Sequence, residues 1–445
     1  MRKYLSFKRG GVRLPGFKEK TVNKPIIEVI PDISEQMRYP LHSRTRAALT
    51  PLVNTGDIVH VGQKIADSDD AFAVPIHASV SGVVLGFSDT VLPDGVEDVV
   101  FVIENDGLFT ESPDILPRGT TAEGFFELGS GEIIGRVRDA GIVGMGGGGF
   151  PTFYKLQSAL QNEGGIDYII ANGAECEPYL TCDTRLLYEE YERVITGLKT
   201  LMRLFPNSKG IIAIEADKQE LFDLLEEKCA AVPGISPVQL KVKYPAGYEK
   251  NIVQSYTGRT VPPGGYATDS GCLVFNVDTL IAIERAIRRG RPLMRRVVTL
   301  AGSAVSNPGN YAVPIGLSFA SLIDAAGGYA CEPHKFIFGG PMMGVSLADT
   351  DIPVTKTSAG LLCLNKKDAQ ITKERNCIKC GKCAAACTSG LLPMLLNKHA
   401  DAGDPKTVEY FEKYNGKACV NCGSCTYVCP SKRHLAQSIF RQKFI

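Results

Sequence analysis

The placement of the cysteines limits what this chain can fold into more than any other feature. The 445 residues contain 14 cysteines, and eight of them fall between positions 377 and 429. These eight form two runs with the same C-x-x-C-x-x-C-x-x-x-C spacing, and each position recurs 42 residues later (377 to 419). Zinc sites usually use paired C-x-x-C knuckles separated by a longer loop. Four thiols within eleven residues match the ligand runs of 4Fe–4S clusters instead, so the sequence predicts two such clusters.

The fourth cysteine of each run is predicted to bind the other run's cluster. A tight loop supplies three thiolates, and the fourth comes from the start of a helix in the other repeat. One cluster would then be held by Cys377, Cys380, Cys383 and Cys429. The second would be held by Cys419, Cys422, Cys425 and Cys387. The remaining cysteines lack ligand spacing and are predicted to be buried structural thiols.

Composition and charge narrow the class of protein. Hydrophobic residues make up 44% and charged residues 22%, which is ordinary for a folded globular chain. The net charge of +1 offers no surplus of basic groups for phosphates, so no nucleic acid partner is expected. No apolar run reaches the roughly 18 residues of a membrane span, and the basic start lacks the apolar core of a signal peptide. A cytoplasmic location, compatible with docking on a membrane complex, is expected.

The N-terminal part of the chain predicts an arm followed by an all-β domain. Residues 1–25 are basic and rich in Gly and Pro. Residues 26–114 carry short β-branched strands between turn signals, beginning with Pro25–Ile30. Val53–Gln63 and a later Ser-Gly-Val-Val resemble the barrel-sandwich fold of lipoyl and biotinyl carriers. The carrier lysine is absent, because Asp69–Val74 occupies the hairpin tip, so a structural role is expected.

The rest of the chain predicts a multidomain protein with α/β and α+β parts. Residues 115–291 alternate helix-like and strand-like stretches, which is typical of an α/β domain with a largely parallel sheet. Residues 292–350 read as a hairpin plus one helix and resemble the soluble-ligand-binding β-grasp family, either as a ligand pocket or as a spacer. Residues 351–445 begin with a connector up to residue 370 and continue as a helical, two-cluster domain that resembles bacterial ferredoxins.

A glycine loop, Gly144–Thr152, precedes a predicted helix. A backbone with almost no side chains lets N–H groups approach a phosphate, with a helix N-terminus behind them. No Gly-Lys-Ser/Thr follows, so it is not a P-loop, and a helix rather than a strand precedes it, so it is not a Rossmann fingerprint. The alternative is a flexible hinge.

A second polar motif, Asn172–Pro178, directly follows a predicted buried strand and contains two glutamates. Open α/β sheets bind ligands at the carboxyl ends of their strands. Carboxylates there can accept hydrogen bonds from the ribose and carboxamide of a dinucleotide. The alternative is a solvated loop that caps a helix.

These two motifs together resemble the flavin- and NADH-binding subunit of respiratory complex I. The match is closer to the RnfC family, which provides the C subunit of the Rnf complexes, the ion-translocating ferredoxin:NAD oxidoreductases, and it covers nearly the whole chain. It also rests on the two cysteine runs and on Phe7–Val12, Pro75–Gly82, Gly258–Gly265, Asn276–Thr279 and Gly339–Gly344.

The resemblance implies roles for individual residues. The FMN phosphate would be held by Gly144, Gly146 and Gly147, and the flavin and phosphate by Lys155, Asn172 and Glu175. The catalytic positions facing the nicotinamide nucleotide would be Phe150 and Glu177. Further cofactor-binding positions are Gly247, Glu249 and Asn276. The chain departs from the complex I pattern at Ala174, Tyr248 and Phe275.

The resemblance further implies an NADH-linked oxidoreductase that exchanges hydride between NAD(H) and FMN and single electrons with the two clusters. Its partners would be the membrane and iron–sulfur subunits of an Rnf complex, with ferredoxin reached indirectly and Na⁺ or H⁺ moved by the membrane subunits. The chain would be peripheral, on the cytoplasmic side of the membrane. Two alternatives stay open: an NADH-dependent cobalamin reductase of a microcompartment, and a non-enzymatic electron-wire adaptor.

Overall fold

The computed structural model describes residues 4–42, 47–93, 95–116, 127–262, 264–401 and 406–442. Pro263, inside the Gly258–Gly265 motif, lies outside these ranges. Within them no helix is both long and apolar enough to cross a lipid bilayer.

The first body of the chain is an antiparallel barrel sandwich of two small sheets, ordered β2-β8-β7-β4 and β3-β5-β6. Side chains alternate between buried and exposed along the first half of β7, as expected where one face of a strand packs on a core. The first eight strands of the chain are β1 (Ile26–Glu28), β2 (Gln36–Pro40), β3 (Thr50–Pro51), β4 (Ile58–Val59), β5 (Lys64–Asp67), β6 (Ile76–His77), β7 (Gly82–Val91) and β8 (Glu97–Asn105).

An α/β domain comes next, built on a parallel sheet ordered β11-β10-β9-β12. The strands are continuous apolar runs, since helices cover both faces of such a sheet. The elements are α1 (Ser130–Asp139), α2 (Thr152–Leu160), β9 (Tyr168–Gly173), α3 (Cys182–Glu189), α4 (Tyr191–Leu204), β10 (Lys209–Glu215), α5 (Gln219–Cys229), β11 (Ile235–Leu240), α6 (Glu249–Thr257), β12 (Cys272–Asn276) and α7 (Val277–Arg289). The strand order reverses at β9, which makes the gap beside it the place where such sheets bind ligands.

The third body is a six-stranded mixed sheet, ordered β1-β14-β13-β17-β15-β16, with one helix. Its elements after β1 are β13 (Arg295–Ala301), β14 (Gly309–Pro314), α8 (Phe319–Ala325), β15 (Lys335–Phe338), β16 (Val345–Leu347) and β17 (Gly360–Leu364). The hairpin of β13 and β14 and the single helix are those predicted for residues 292–350.

Two strands of this sheet lie elsewhere than the sequence predicts. The strand β1 was expected in the barrel sandwich, but it pairs in parallel with β14. The strand β17 lies in the predicted connector, yet it sits inside the sheet between β13 and β15. Both corrections have one physical reason: the exposed edge of β14 and the gap between β13 and β15 offer unpaired backbone groups, which these segments satisfy.

The C-terminal body is a small set of short helices around the cysteines. They are α9 (Lys382–Ala386), α10 (Pro393–Asp401), α11 (Thr407–Lys413), α12 (Ser424–Tyr427) and α13 (Leu435–Arg441). Two short helices, α9 and α12, begin inside the two cysteine runs and pack against each other. The repeat of the cysteine runs in the sequence is therefore also a repeat of loop and helix in the structure.

The N-terminal arm (residues 4–25) connects the α/β domain and the cysteine domain. Leu5 forms a parallel bridge with Leu240, at the end of β11. Further along, the Gly11 N–H donates to the Ala386 carbonyl at 2.9 Å, at the end of α9. The arm thus fastens the cysteine domain to the parallel sheet.

Candidate cofactor sites

The glycine loop closes on itself and leaves its middle open. The Gly144 N–H donates to the Phe150 carbonyl at 2.8 Å, and the Gly149 N–H donates to the Gly144 carbonyl at 2.9 Å. A Cβ built on either of two glycines in the middle, Gly147 and Gly148, would meet no atom within 4 Å. These two and Gly146 are exposed. Since α2 begins directly behind the loop, the residues present fit a bound phosphate.

A buried arginine, Arg296, holds the backbone of the glycine loop through a hydrogen bond. Arg296, on β13, is only 1% exposed. Its Nη2 donates to the Met145 carbonyl at 3.0 Å, its Nε donates to the Ser358 carbonyl at 3.0 Å, and its Nη1 pairs with the Asp278 carboxylate. The Met145 N–H donates to Thr279 Oγ1 at 3.0 Å. Sequence reasoning did not single out Arg296, because nothing local in a strand reveals which distant carbonyls its side chain reaches.

Two asparagines that are predicted to bind the cofactor lie side by side at the carboxyl edge of the parallel sheet. Asn172 on β9 and Asn276 on β12 are partners in the strand register. Asn172 Nδ2 donates to the Gly247 carbonyl at 2.9 Å, and Asn276 Nδ2 donates to the Asp183 carboxylate at 2.7 Å. The Asn276 side chain also caps α7 by accepting from the Asp278 N–H at 2.9 Å. This edge lies at the strand-order reversal, where a ring system can bind.

Lys155 and Glu249 form an ion pair beside these asparagines. Lys155 Nζ lies 2.9 Å from Glu249 Oε2 and donates to the Val274 carbonyl at 2.7 Å. The ammonium group also lies 5.1 Å from the centre of the Phe275 ring. The Gly247 backbone borders the Asn172 side chain, 3.8 Å from where a Cβ on Gly247 would lie. One site is therefore shared by the predicted residues Lys155, Asn172, Gly247, Glu249 and Asn276.

Glu175, predicted to contact flavin and phosphate, lies at the N-terminus of α3 in this structure. Its carboxylate accepts from the backbone N–H groups of Asp183 at 2.8 Å and Thr184 at 3.1 Å, and from the Thr184 hydroxyl at 2.6 Å. It therefore satisfies the N-terminus of α3, a stabilising arrangement for a carboxylate. Burial, together with the Glu175 carboxylate, raises the pKa of Asp183. Lys18, from the N-terminal arm, contacts the Glu175 carbonyl and places a cation beside this loop.

Glu177 points toward the β-grasp module in this structure. Its carboxylate accepts from the Met342 N–H and the Met343 N–H, each at 3.0 Å, and from the Tyr244 hydroxyl at 3.3 Å. Burial raises the pKa of Glu177 to about 7, against the opposing effect of these hydrogen bonds. The other predicted catalytic residue, Phe150, is exposed at the rim of the glycine loop.

The eight clustered cysteines surround two cavities. The first cysteine cavity is lined by Cys377, Cys380, Cys383 and Cys429. The second cysteine cavity is lined by Cys387, Cys419, Cys422 and Cys425. The structure thus brings together the same two sets of four that the crossover of the fourth cysteine predicts.

The two cysteine loops have the same backbone conformation, and in each loop a backbone N–H donates to a cysteine sulfur. In each loop a left-handed residue precedes the second cysteine and a left-handed glycine follows it: Lys379 and Gly381, then Asn421 and Gly423. The N–H groups of Lys379 and Asn421 donate to the first cysteine's Sγ at 3.4 and 3.5 Å. A donor set of four thiols with N–H···S contacts fits a 4Fe–4S cluster.

The second cysteine cavity adjoins the α/β domain through the β-grasp loop Gly339–Gly344. A Cβ on Gly423 would lie 2.7 Å from the Met342 carbonyl, so the cysteine loop packs directly on this turn. The same Met342 donates its N–H to Glu177. A short chain of contacts therefore joins the carboxyl edge of the sheet to the second cysteine cavity.

A glycine-loop α/β domain with a polar site at its sheet edge, joined to two cavities that are each lined by four cysteines, defines the class of flavin and iron–sulfur electron carriers. Family profiles agree with this class. The RnfC barrel sandwich hybrid domain matches residues 5–108, the Nuo51 FMN-binding domain 137–285, the SLBB domain 297–346 and the 4Fe-4S dicluster domain 376–432. The FMN and cluster predictions are confirmed by these matches, and the zinc alternative is set aside.

Similar proteins identify the family. The chain is 39% identical over 398 residues to the C subunit of the Na(+)-translocating ferredoxin:NAD(+) oxidoreductase complex of Acetobacterium woodii, covering 89% of this chain and 88% of that one. It is 40% identical over 389 residues to the C subunit of the proton-translocating ferredoxin:NAD(+) oxidoreductase complex of Clostridium ljungdahlii, covering 87% and 83%. The chain therefore belongs to the RnfC family of ion-translocating oxidoreductase complexes, as its sequence motifs predict.

A solved structure shares the fold. A chain of an NAD⁺-reducing [NiFe]-hydrogenase in the H₂-reduced state aligns with a TM-score of 0.51 at 20% identity, covering 73% of this chain and 64% of that one. At this identity the likeness concerns the fold alone. The roles of the individual residues stay predictions.

Proposed function

We propose that this chain exchanges electrons between NAD(H) and two iron–sulfur clusters as the RnfC component of an ion-translocating ferredoxin:NAD oxidoreductase complex. The observation that carries the proposal is the junction between the sheet edge and the cysteine domain. There an open glycine loop and a polar sheet edge are linked through Glu177 and Met342 to a cavity of four thiols. The names of the relatives support the same reaction.

In this proposal the residues of the chain bind and orient FMN and the nucleotide. The N–H groups of the exposed residues Gly146–Gly148 would hold the phosphate of FMN. Asn172 and Asn276 offer amides at the sheet edge, and the Lys155–Glu249 pair places a cation next to them. Bound FMN supplies the conversion between a two-electron hydride and single electrons. Phe150, at the open rim, faces the entering nucleotide.

The cysteines divide into an inner and an outer set. The inner set holds the cluster nearer the α/β domain, because its cavity packs on Met342. The outer set holds the other cluster, whose loop is exposed. The inner set is Cys387, Cys419, Cys422 and Cys425, and the outer set is Cys377, Cys380, Cys383 and Cys429. The outer set is therefore suited to exchange electrons with a partner protein.

The family supports the proposed partners and location. Relatives carry names of complexes that translocate Na⁺ or protons, and the chain's described helices include none that could span a bilayer. We place the chain on the cytoplasmic side of a membrane complex whose other subunits move the ion. Family membership favours this assignment over the cobalamin reductase alternative.

Anaerobic purification followed by addition of NADH tests the proposal. The chain should contain FMN and about eight irons, and NADH should bleach the flavin absorbance. An unchanged flavin spectrum with FMN bound would instead support the electron-wire alternative. Material with no iron, or with zinc in its place, would contradict the proposal altogether.

A further inference from the structure

The loop of the outer cysteine set is more exposed than the matching loop of the inner set. Every residue from 371 to 380 is exposed, among them Cys377 and Cys380. Ile378, between these two cysteines, is 66% exposed. The loop of the inner set packs on the Met342 carbonyl instead. The outer loop is therefore the part of the cysteine domain that a second protein can reach.

Positive charge is concentrated around this loop. Among the residues that the structure describes, Glu374 is the acid in this segment, and its carboxylate is held by other groups: Oε1 accepts from the His434 N–H at 2.8 Å and Oε2 lies 3.9 Å from Arg433 Nη1. The net charge of the whole chain is only +1, so the surplus here is local. Five exposed basic residues, none of which pairs with a carboxylate in the described part of the chain, form what we call the outer basic face: Lys373, Arg375, Lys379, Lys382 and Lys432.

Hydrogen bonds bring the two segments of the outer basic face together. The Arg375 N–H donates to the Ser431 carbonyl at 2.9 Å, and Ser431 Oγ donates to the Asn376 carbonyl at 2.9 Å. Lys432, the next residue along the chain, therefore lies beside the segment that carries Lys373 and Arg375. The basic residues before the first cysteine run and after the second are thus held next to each other at the outer loop.

The inner repeat shows that the fold of the loop does not require these lysines. Three lysines of the outer basic face have uncharged equivalents 42 residues away, around the inner set. The pairs are Lys379 with Asn421, Lys382 with Ser424 and Lys432 with Gly390. The first and third pairs have left-handed backbone in both repeats, with φ between 53° and 70°. Left-handed backbone favours Asn and Gly over Lys, so local conformation does not explain the lysines.

A charged rim around an exposed apolar residue such as Ile378 is typical of a protein interface. Interfaces between electron carriers are small, and complementary charge determines how fast they form. Basic clusters also bind anionic lipid, but a lipid headgroup cannot exchange electrons with a cluster held by this loop. Residues 371–380 also form no amphipathic helix of the kind that lies on a membrane. A protein partner therefore fits this surface better than a lipid surface does.

We propose that the outer basic face is the docking surface for an acidic electron carrier, a protein whose carboxylates surround its own exposed iron–sulfur centre. The proposal rests on the proposed function and adds the surface and the charge of the partner. In each encounter one electron leaves the reduced carrier, which is oxidised, and enters the outer cluster, which is reduced; no bond is made and no proton moves. Attraction between the two charged surfaces raises the rate of encounter, and salt screens this attraction.

Stopped-flow mixing of the full anaerobic chain, with its FMN and clusters, against a reduced acidic two-cluster ferredoxin tests this surface. Bleaching of the flavin at several ferredoxin concentrations gives a second-order rate constant. The rate constant of wild type should fall steeply between about 0.1 and about 1 M salt, over which the Debye length shortens from about 10 to about 3 Å.

Two variants remove charge from the outer basic face. Lys382→Ser with Lys432→Gly introduces the residues of the inner repeat and should lower the rate constant at low salt about tenfold, the lower end of the gain from electrostatic steering. Lys373→Gln with Arg375→Gln removes two charges outside both cysteine runs and should have the same effect. At high salt both variants should react like wild type. Bleaching by NADH should be unchanged in both, since NADH enters at the glycine loop in the proposed function.

The matched control is Lys199→Gln with Lys209→Gln. It also removes two positive charges, from exposed positions on α4 and β10 of the α/β domain. This variant should react with ferredoxin at the wild-type rate at every salt concentration.

The outcomes separate the docking surface from the proposed function. If NADH bleaches wild type but reduced ferredoxin does not, or if both outer variants keep the wild-type rate at low salt, the docking surface is wrong and the electron-transfer function stands. If neither NADH nor ferredoxin bleaches wild type, both proposals fail.

Two further results would overturn the docking surface. Equal slowing of the Lys199→Gln, Lys209→Gln control would show that only the total charge matters. Binding of wild type to phosphatidylglycerol vesicles that both outer variants lose, with an unchanged ferredoxin rate, would assign the charges to a membrane surface.

Discussion

At the scale of single residues, Glu177 shows how one carboxylate connects separate parts of the molecule. It lies at the end of the motif that follows β9, yet its hydrogen-bond donors come from the β-grasp loop and from Tyr244. The close packing is evident at Gly340, where a Cβ would lie 2.3 Å from Glu177 Oε2. A buried carboxyl with a pKa near 7 is a common feature of functional sites.

Glu177→Gln should change how the protein's stability depends on pH. The folded pKa of about 7 is above the ordinary value of about 4.3, so the folded state binds this proton more tightly than the unfolded state. The stability that it contributes is complete below the ordinary pKa and is lost as pH rises through 7. The melting temperature of wild type, relative to Glu177→Gln, should therefore fall between about pH 5 and about pH 8.

The surface variant Glu227→Gln serves as the control and should follow wild type, since the Glu227 side chain is 72% exposed. If the melting temperatures of wild type and Glu177→Gln changed with pH in the same way, Glu177 would not titrate in this range. The Gln variant should also react more slowly with NADH while keeping its FMN, and loss of the flavin would count against a role at the nucleotide.

At the scale of elements, the N-terminal arm contacts both the α/β domain and the cysteine domain. It adds a bridge at the end of β11, and Lys243 Nζ lies 3.9 Å from the centre of the Phe7 ring. Its Gly10–Gly11 segment packs on the backbone that carries Cys387, a member of the inner cysteine set. The arm thus joins the α/β domain to the backbone beside the inner cysteine set.

Gly10→Ala should detach the arm from the cysteine domain. Gly10 has a φ of +64°, and a Cβ there would lie 2.6 Å from the Cys387 carbonyl carbon. Left-handed strain at a non-glycine residue costs on the order of 1–3 kcal/mol, and the backbone clash adds to it. We expect a lower melting temperature and reduced iron content, measured by differential scanning fluorimetry and colorimetric iron analysis.

The matched control is Gly16→Ala in the same arm, where a Cβ meets only the Lys18 side chain at 3.8 Å. This variant should keep its iron and its melting temperature. Equal behaviour of Gly10→Ala and Gly16→Ala would show that the arm's contact with the Cys387 backbone is dispensable.

At the scale of the whole molecule, the function depends on how the two cysteine runs cross over. Neither run surrounds a cavity alone, since the last cysteine of each lines the cavity of the other. The loop of the inner set packs on Met342, and the loop of the outer set is exposed. The inner cluster would therefore lie nearer the sheet edge than the outer cluster.

Double substitutions should reveal the crossover through iron content. Cys383→Ser with Cys429→Ser removes two ligands from one predicted cluster and should leave about four irons. Cys425→Ser with Cys429→Ser removes one ligand from each and should leave few irons or none. If each run bound its own cluster, the two results would be reversed.

Iron analysis and electron paramagnetic resonance of the dithionite-reduced proteins provide the measurement. Cys331→Ser is the control, because Cys331 lies outside both runs and is exposed, which corrects the prediction that the remaining cysteines are buried. It should retain wild-type iron and both cluster signals.

Much of this architecture was predictable from spacing along the chain. The helices and strands around Gly144–Thr152 and Asn172–Pro178 follow from apolar periodicity, and the meeting of Asn172 with Asn276 follows from the shared carboxyl edge of parallel strands. The placement of β1 and β17 was not predictable, because a short apolar segment can complete any sheet with an unpaired edge. Likewise the partners of Glu175 and Glu177 are mainly backbone N–H groups, which any sequence could supply.

Residue types and their spacing along the chain were enough to predict the chemical groups: the thiol ligands and their crossed grouping, the glycine loop and the amide groups at the sheet edge. These features depend on residue type and on separations of a few positions. Residues so close in sequence are placed relative to one another by local backbone geometry. Three contacts could be seen only in the folded chain: Arg296 supports the glycine loop, Met342 lies between Glu177 and a cysteine loop, and Phe72 packs near Phe150 at the rim of the glycine loop. Those contacts join segments tens to hundreds of residues apart, so they arise from the packing of whole domains and leave no local pattern in the sequence.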